Sequence, residues 1–140
     1  MKKRNTIVAL IACIAVVCAI AVYKPAGKTK NAEILPAVSE LYSDEDLEKA
    51  VAVIKQYFSK NFRDCELLKL EYIGDEANSS AQYLYLIKQY GVDEYIVYQM
   101  TFKVGNRNNP AYPSDSTQEI KIILGRTGNE EWKYLSSGRP

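Results

Sequence analysis

Residues 94–104 read EYIVYQMTFKV, and the alternation within them decides the fold. Ile96, Tyr98, Met100, Phe102 and Val104 fall on one side of an extended chain, with Tyr95, Val97, Gln99, Thr101 and Lys103 on the other. Successive strand side chains point to opposite faces, so the first set predicts a core face and the second an amphipathic one. A lone strand cannot bury such a face, so partners are sought on either side. Downstream, residues 105–116 (GNRNNPAYPSDS) are rich in Gly, Asn, Pro and Ser and read as a long polar loop. Residues 117–126 then resume alternation through Ile120, Ile122 and Leu124. A turn at 127–130, containing Gly128-Asn129, leads to a last strand near 131–136 that carries Trp132 and Tyr134, a predicted hairpin. Upstream, residues 66–73 alternate with Leu68, Leu70 and Tyr72 on one face and Lys69 and Glu71 on the other, until Gly74-Asp75 breaks the pattern.

Two helices complete the pattern. Ser43-Asp44-Glu45-Asp46 supplies an N-cap hydroxyl and three carboxylates for the positive end of a helix dipole. Asp46 stands at capping-box spacing, and Tyr42 with Leu47 at hydrophobic-staple spacing. Leu47, Val51, Ile54 and Phe58, with Ala50 and Tyr57 beside them, form an apolar stripe running to about Asn61. Ser79 or Ser80 caps a second helix with apolar positions Tyr83, Leu84, Ile87 and Tyr90, ended by Gly91; a strand over 82–90 is the rival reading. The order of elements predicts an α+β domain, its first helix packed on a curved antiparallel sheet of about four strands, with a second short helix. Cystatin-like and NTF2-like architectures share this plan.

Tyr42-Ser43-Asp44-Glu45-Asp46, Tyr57-Phe58, residues 62–65, Gly74-Asp75-Glu76, residues 90–94 and Trp132-Lys133 resemble small exported or membrane-anchored domains of unknown function from Gram-positive bacteria. The likeness covers about residues 41–137. It implies an extracytoplasmic location, brings no catalytic residues with it, and departs from the pattern in the 105–116 loop.

The chain ahead of these elements sets the expected topology. Lys2, Lys3 and Arg4 precede an uncharged run at residues 6–23, which Lys24-Pro25 ends. Eighteen helical residues would reach about 27 Å, just short of the hydrocarbon core of roughly 30 Å. Three fates stay open: an uncleaved signal anchor, cleavage after Ala19-Ile20-Ala21, or lipidation at the lipobox-like Leu10-Ile11-Ala12-Cys13. The expected organisation is a signal anchor or signal peptide at 1–24, a polar tether at 25–38 and an extracytoplasmic domain at 39–140. The cell membrane, met through residues 6–23 in a single pass with the domain outside, is the expected location; a secreted form or a lipoprotein is the alternative.

The 140 residues suit one domain, and a composition 47% apolar and 25% charged is that of a chain that folds. Six of the 18 Lys and Arg residues lie within residues 1–30, leaving 12 against all 17 acids in the remainder, a net charge of −5. Such a domain is a poor partner for nucleic acid. Histidine is absent, which removes the commonest general base and metal ligand. Cys65 is the one cysteine outside the apolar run and reads as a small buried hydrophobe.

Candidate site residues are therefore few. Tyr72, Tyr98, Trp132 and Tyr134 are the candidates to line a concave sheet face and hold an apolar ligand. Tyr98 with Asp75 or Asp93 is the imaginable donor and base pair of a pocket enzyme. The carboxylate pairs Asp75-Glu76, Asp93-Glu94 and Glu130-Glu131 read as solvated turn residues, and Tyr95 and Tyr112 as outward surface contacts. Neither a catalytic residue nor a metal or cofactor is predicted. The expected function is a membrane-tethered domain that binds an envelope protein or cell-wall component; an NTF2-like pocket enzyme or small-ligand carrier is the alternative.

Overall fold

The structure is a computed structural model, and it describes residues 26–78, 80–107 and 109–138. The apolar run at 6–23, with every expectation attached to it, lies outside the described residues. Among the described residues no helix is long and apolar enough to cross a membrane.

Chain order is β1 (Glu33–Ile34), α1 (Asp44–Asn61), β2 (Cys65–Tyr72), α2 (Asp75–Asn78), α3 (Ala81–Tyr90), β3 (Glu94–Val104), β4 (Thr117–Arg126) and β5 (Lys133–Gly138). The five strands form one sheet in the order β1-β2-β3-β4-β5. The last four make an antiparallel meander, while β1 runs parallel to β2 through Glu33↔Lys69 and Ile34↔Leu70. The fold is α+β, as the order of elements predicts, but its sheet is mixed and five-stranded rather than antiparallel and four-stranded.

The added strand comes from the stretch read as a tether. Gly27 N donates to Ser59 O at 3.0 Å, Lys28 N to Cys65 O at 2.9 Å, Leu67 N to Lys28 O at 2.8 Å and Leu35 N to Leu70 O at 3.0 Å. β2 would otherwise present unpaired N–H and C=O groups along an open edge, and residues 27–35 satisfy them. Gly27 fits because a Cβ there would stand 2.7 Å from the carbonyl oxygens of both Phe58 and Phe62.

α1 begins where its cap requires. Ser43 Oγ accepts from Asp46 N at 3.1 Å, and the Asp46 carboxylate accepts from Ser43 N at 3.4 Å. Together these satisfy two otherwise orphaned donors, an arrangement stabilising by about 1 kcal/mol. Leu47, Ala50, Ile54 and Phe58 are buried on its inner face. They meet Leu67, Leu70, Ile96, Met100, Phe102 and Ile122 in the main core, where Phe58, Phe62 and Phe102 pack with ring centroids 4.8–5.8 Å apart.

The opposite face of the sheet is also covered. α3 lays Tyr83 and Leu86 over Tyr95, Val97, Ile123 and Leu135. Tyr95, expected outward, is therefore only 2% exposed, because a helix shields the face that a two-layer reading leaves to water. Ser80 caps α3 by accepting from Gln82 N, and Gly91 closes it at φ 64°, as the sequence indicates. The buried stripe is rotated from the expected one: Leu86 is buried, whereas Leu84 and Tyr90 are exposed.

β2 carries a bulge between Leu67 and Lys69. Cys65, Leu67, Leu70 and Tyr72 consequently share the core, while Leu68 is pushed outward, contrary to strict alternation. Trp132 sits just ahead of β5 and is buried. Within the 105–116 loop, Asn109 Oδ1 accepts from Ala111 N at 2.8 Å, and the Tyr112 ring lies 5.2 Å from Phe102. Tyr112 is thus half-buried rather than outward.

Candidate functional site

Cross-strand register sets Tyr72 opposite Tyr98, with ring centroids 5.7 Å apart. Tyr42 bridges this pair to Trp132, its ring 6.3 Å from Tyr72 and 5.7 Å from the indole. Three of the four predicted residues thus gather beneath the first half of α1, with Tyr42 as an unanticipated fourth member. The gathering is packed rather than hollow. Tyr42 Oη donates to Tyr95 O at 2.6 Å, Tyr98 Oη to Leu47 O at 3.4 Å and Trp132 Nε1 to Asp46 O at 3.2 Å. Burial pushes the Tyr42 and Tyr98 phenols well above their ordinary values, because the phenolate would lose its hydration. Tyr134 stands apart, stacked on Tyr57 at 3.8 Å with its hydroxyl 2.9 Å from Ser137 Oγ.

Neither acid imagined for Tyr98 lies beside its hydroxyl. The Asp75 carboxylate accepts from Ser39 Oγ at 2.6 Å, from Tyr72 Oη at 2.6 Å and from Glu40 N at 2.8 Å. These donors, Ser39 first, hold it below the usual carboxylate range. Asp93 accepts from Gly128 N at 2.8 Å and secures the β4–β5 turn. Glu94 joins the Arg126 guanidinium, which also binds Asp46 and lies 4.2 Å over the Trp132 ring. The hydrogen bond from Arg126 is the main cause of the lowered pKa of Asp46. The clamp ties the start of α1 to the end of β4 and the start of β3. Glu130 pairs with Lys133.

Cys65 is buried, and loss of hydration pushes its thiol up. Among the described residues no group of three or more His, Cys, Asp or Glu side chains is placed to hold a metal ion.

The open space lies elsewhere. A groove of about 460 Å³ runs between the 34–37 segment and α1, walled by Ile34, Leu35, Pro36, Ala37, Leu47 and Val51. Tyr98 touches its floor, and its charged members, Asp44 and Glu48, are both acidic. Neither is in an ion pair among the described residues. A smaller depression of about 280 Å³ holds Trp132 and Tyr134 beside Val53, Tyr57 and Lys60. The predicted residues are therefore divided between two surfaces, and Tyr72 borders neither.

No family model, curated protein or solved structure matches the chain. The groove therefore has to be judged on its own geometry. One of its walls was missed because residues 34–37 fall in the stretch read as a tether. The signal available was the apolar run Ile34-Leu35-Pro36-Ala37, too short to show a period.

Proposed function

We propose that this chain is a membrane-tethered extracytoplasmic module that binds another protein through the groove between residues 34–37 and α1. The observation that carries the reading is the groove's chemistry. Its walls are aliphatic, its rim bears the carboxylates of Asp44 and Glu48, which are in no ion pair among the described residues, and its volume is about 460 Å³. That is the size of a small-ligand pocket, roughly 300–1,000 Å³, and so leaves room for a few side chains of a partner segment. Aliphatic walls under an acidic rim suit a partner segment that offers an apolar side chain next to a lysine or arginine. The uncharged run at 6–23 and the resemblance to exported domains support the location.

The test places a photo-crosslinking residue at Val51, in the groove, and at Lys88, on α3, in the full chain expressed in its own cells. Adducts to one defined partner are expected from Val51 only. Binding of that purified partner should then fall about tenfold or more in Val51→Lys, which adds both bulk and positive charge. Equal adducts from both positions, or unchanged binding by the variant, would overturn the reading. The alternative, a small-ligand carrier or NTF2-like pocket enzyme, rests on Tyr98 at the groove floor. Saturable binding or turnover of a small molecule that Tyr98→Phe abolishes would favour it.

A further inference from the structure

The charges of the domain are divided between its two ends. α1 and β3 both start at the end that holds Arg126 and Trp132, as the contacts from Arg126 to Asp46 and Glu94 show. Both finish at the end that holds Gly27 and Gly105, where Gly27 N meets Ser59 O and Gly105 N meets Asp64 O. The starting end bears Asp44, Glu45, Asp75, Asp93, Glu130 and Glu131. The finishing end bears Lys28, Lys60, Arg63, Lys103 and Arg107, all exposed. The backbone of Lys28 forms a parallel β-bridge with Glu66, Glu66 pairs with Lys103 in the sheet, and Arg107 N donates to the Asp64 carboxylate at 3.0 Å, which fixes these residues around one rim. None of the five is in an ion pair among the described residues. The acids at this end are Asp64, Glu66 and Asp115, so the balance is positive in a domain that is acidic as a whole.

The same end is where the chain leaves toward residues 6–23. Gly27 is the first residue hydrogen-bonded into the domain among those described, and only Lys24, Pro25 and Ala26 separate it from Tyr23. Whatever their conformation, four Cα steps span at most about 14 Å. A free tether over 25–38 would instead reach roughly 48 Å. Each polar headgroup layer is itself about 5–8 Å deep. With residues 6–23 in a bilayer, Gly27 would thereby be held within about one Debye length, roughly 8–10 Å, of the lipid phosphates.

We infer that the domain docks its basic end, Lys28, Lys60, Arg63, Lys103 and Arg107, on the anionic headgroups of the bilayer that residues 6–23 enter. This rests on the membrane tether proposed above and adds a fixed orientation to it. The acidic end points away from the lipid, and the groove, whose rim lies at the start of α1, stays open to a partner. Each cation near an anionic surface strengthens the contact by about fivefold. The short leash supplies a high local concentration, so weak individual attractions suffice.

The test reconstitutes the full chain into nanodiscs of phosphatidylglycerol or of phosphatidylcholine, each containing a small fraction of lipid with a spin-labelled headgroup. Amide line broadening is read by NMR. In phosphatidylglycerol the amides of Arg63, Gly105 and Arg107 should broaden strongly, and those of Gly128, Asn129 and Glu131 hardly at all. The contrast should weaken clearly in phosphatidylcholine, where only the leash keeps this end near the lipid, and in phosphatidylglycerol for the combined variant Lys60→Glu, Arg63→Glu, Lys103→Glu and Arg107→Glu. All four positions are exposed, and unchanged β3 and β4 resonances would verify that the variant is folded. Disc-bound chain with no contrast, or with a contrast indifferent to lipid and variant, would overturn the docking while leaving the tether. Chain that stays out of the discs would overturn the tether and the docking with it.

Discussion

Replacing Gly27 with alanine should release residues 27–35 from the sheet edge while leaving the rest of the domain folded. The added Cβ would stand 2.7 Å from Phe58 O, 2.7 Å from Phe62 O and 2.9 Å from the Phe58 ring. Two of these atoms are backbone at the end of α1, held by the Phe62 N to Phe58 O hydrogen bond, so the N-terminal segment has to move instead. Overpacking of this kind costs about 1–3 kcal/mol. The segment is held mainly by four backbone hydrogen bonds and the short β1 pairing. Each such bond contributes about 1 kcal/mol net, so a cost near 2 kcal/mol is a large part of its local stability. A decrease of about 2 kcal/mol in the opening free energy raises the opening constant roughly 30-fold. Hydrogen exchange of the Lys28, Leu35 and Leu67 amides should accelerate by about that factor, while amides of β3 and β4 keep their protection. Unchanged exchange at Lys28 and Leu35 would refute the argument. So would uniform acceleration across the sheet, which would make the segment part of the global fold rather than a separable edge.

Arg126→Met should destabilise the domain by about 1–3 kcal/mol in urea at pH 7, since it strands Asp46 and Glu94 and removes the cation over Trp132. Asp46 has a lowered folded-state pKa, so its contribution is complete above the unfolded value of about 3.9 and is lost as pH falls through the folded one. The stability lost on acidification from pH 5 should accordingly be smaller in Arg126→Met than in the parent. NMR titration should find that Ser39→Ala and Tyr72→Phe each move the Asp75 pKa upward toward the ordinary carboxylate value, the first more than the second. Leu86→Ala should cost about 3 kcal/mol by chemical denaturation, because Leu86 fills the second core. Leu84→Ala, at a side chain 51% exposed, should stay within about 0.5 kcal/mol, and equal costs would mean that α3 presents a different face.

Local chemistry decided how much of the fold could be read from the chain. The Ser43 cap, the Leu47 to Phe58 stripe and the Ser80 and Gly91 ends of α3 depend on neighbours a few residues away, and all are where their residues indicate. The alternation in residues 94–104 likewise assigned Ile96, Tyr98, Met100, Phe102 and Val104 to the main core. The Leu67 to Lys69 bulge was hidden, since register depends on β3 and not on β2 alone. Tyr95 was misread for a related reason: its face is defined by α3, and only the folded domain shows that a helix covers it. Of the site, the Tyr72, Tyr98 and Trp132 gathering was legible as aromatic residues on alternating strand positions, which are more often core than pocket, and the groove was not legible.

By itself the sequence determined the order and type of α1 and the four meander strands, and favoured a helix over a strand for α3, because hydrophobic period and capping are short-range properties of the chain. It also set the charge asymmetry between residues 1–30 and the remainder. Tertiary structure alone decided that residues 27–35 are an edge of the sheet and not a leash, that the groove opens between Ile34 and Val51, and that the cations gather at one end. Each of these depends on hydrogen bonds or packing between segments far apart in the chain. Such contacts form only when loop closure and register have been fixed together, and no local pattern of residues encodes that outcome.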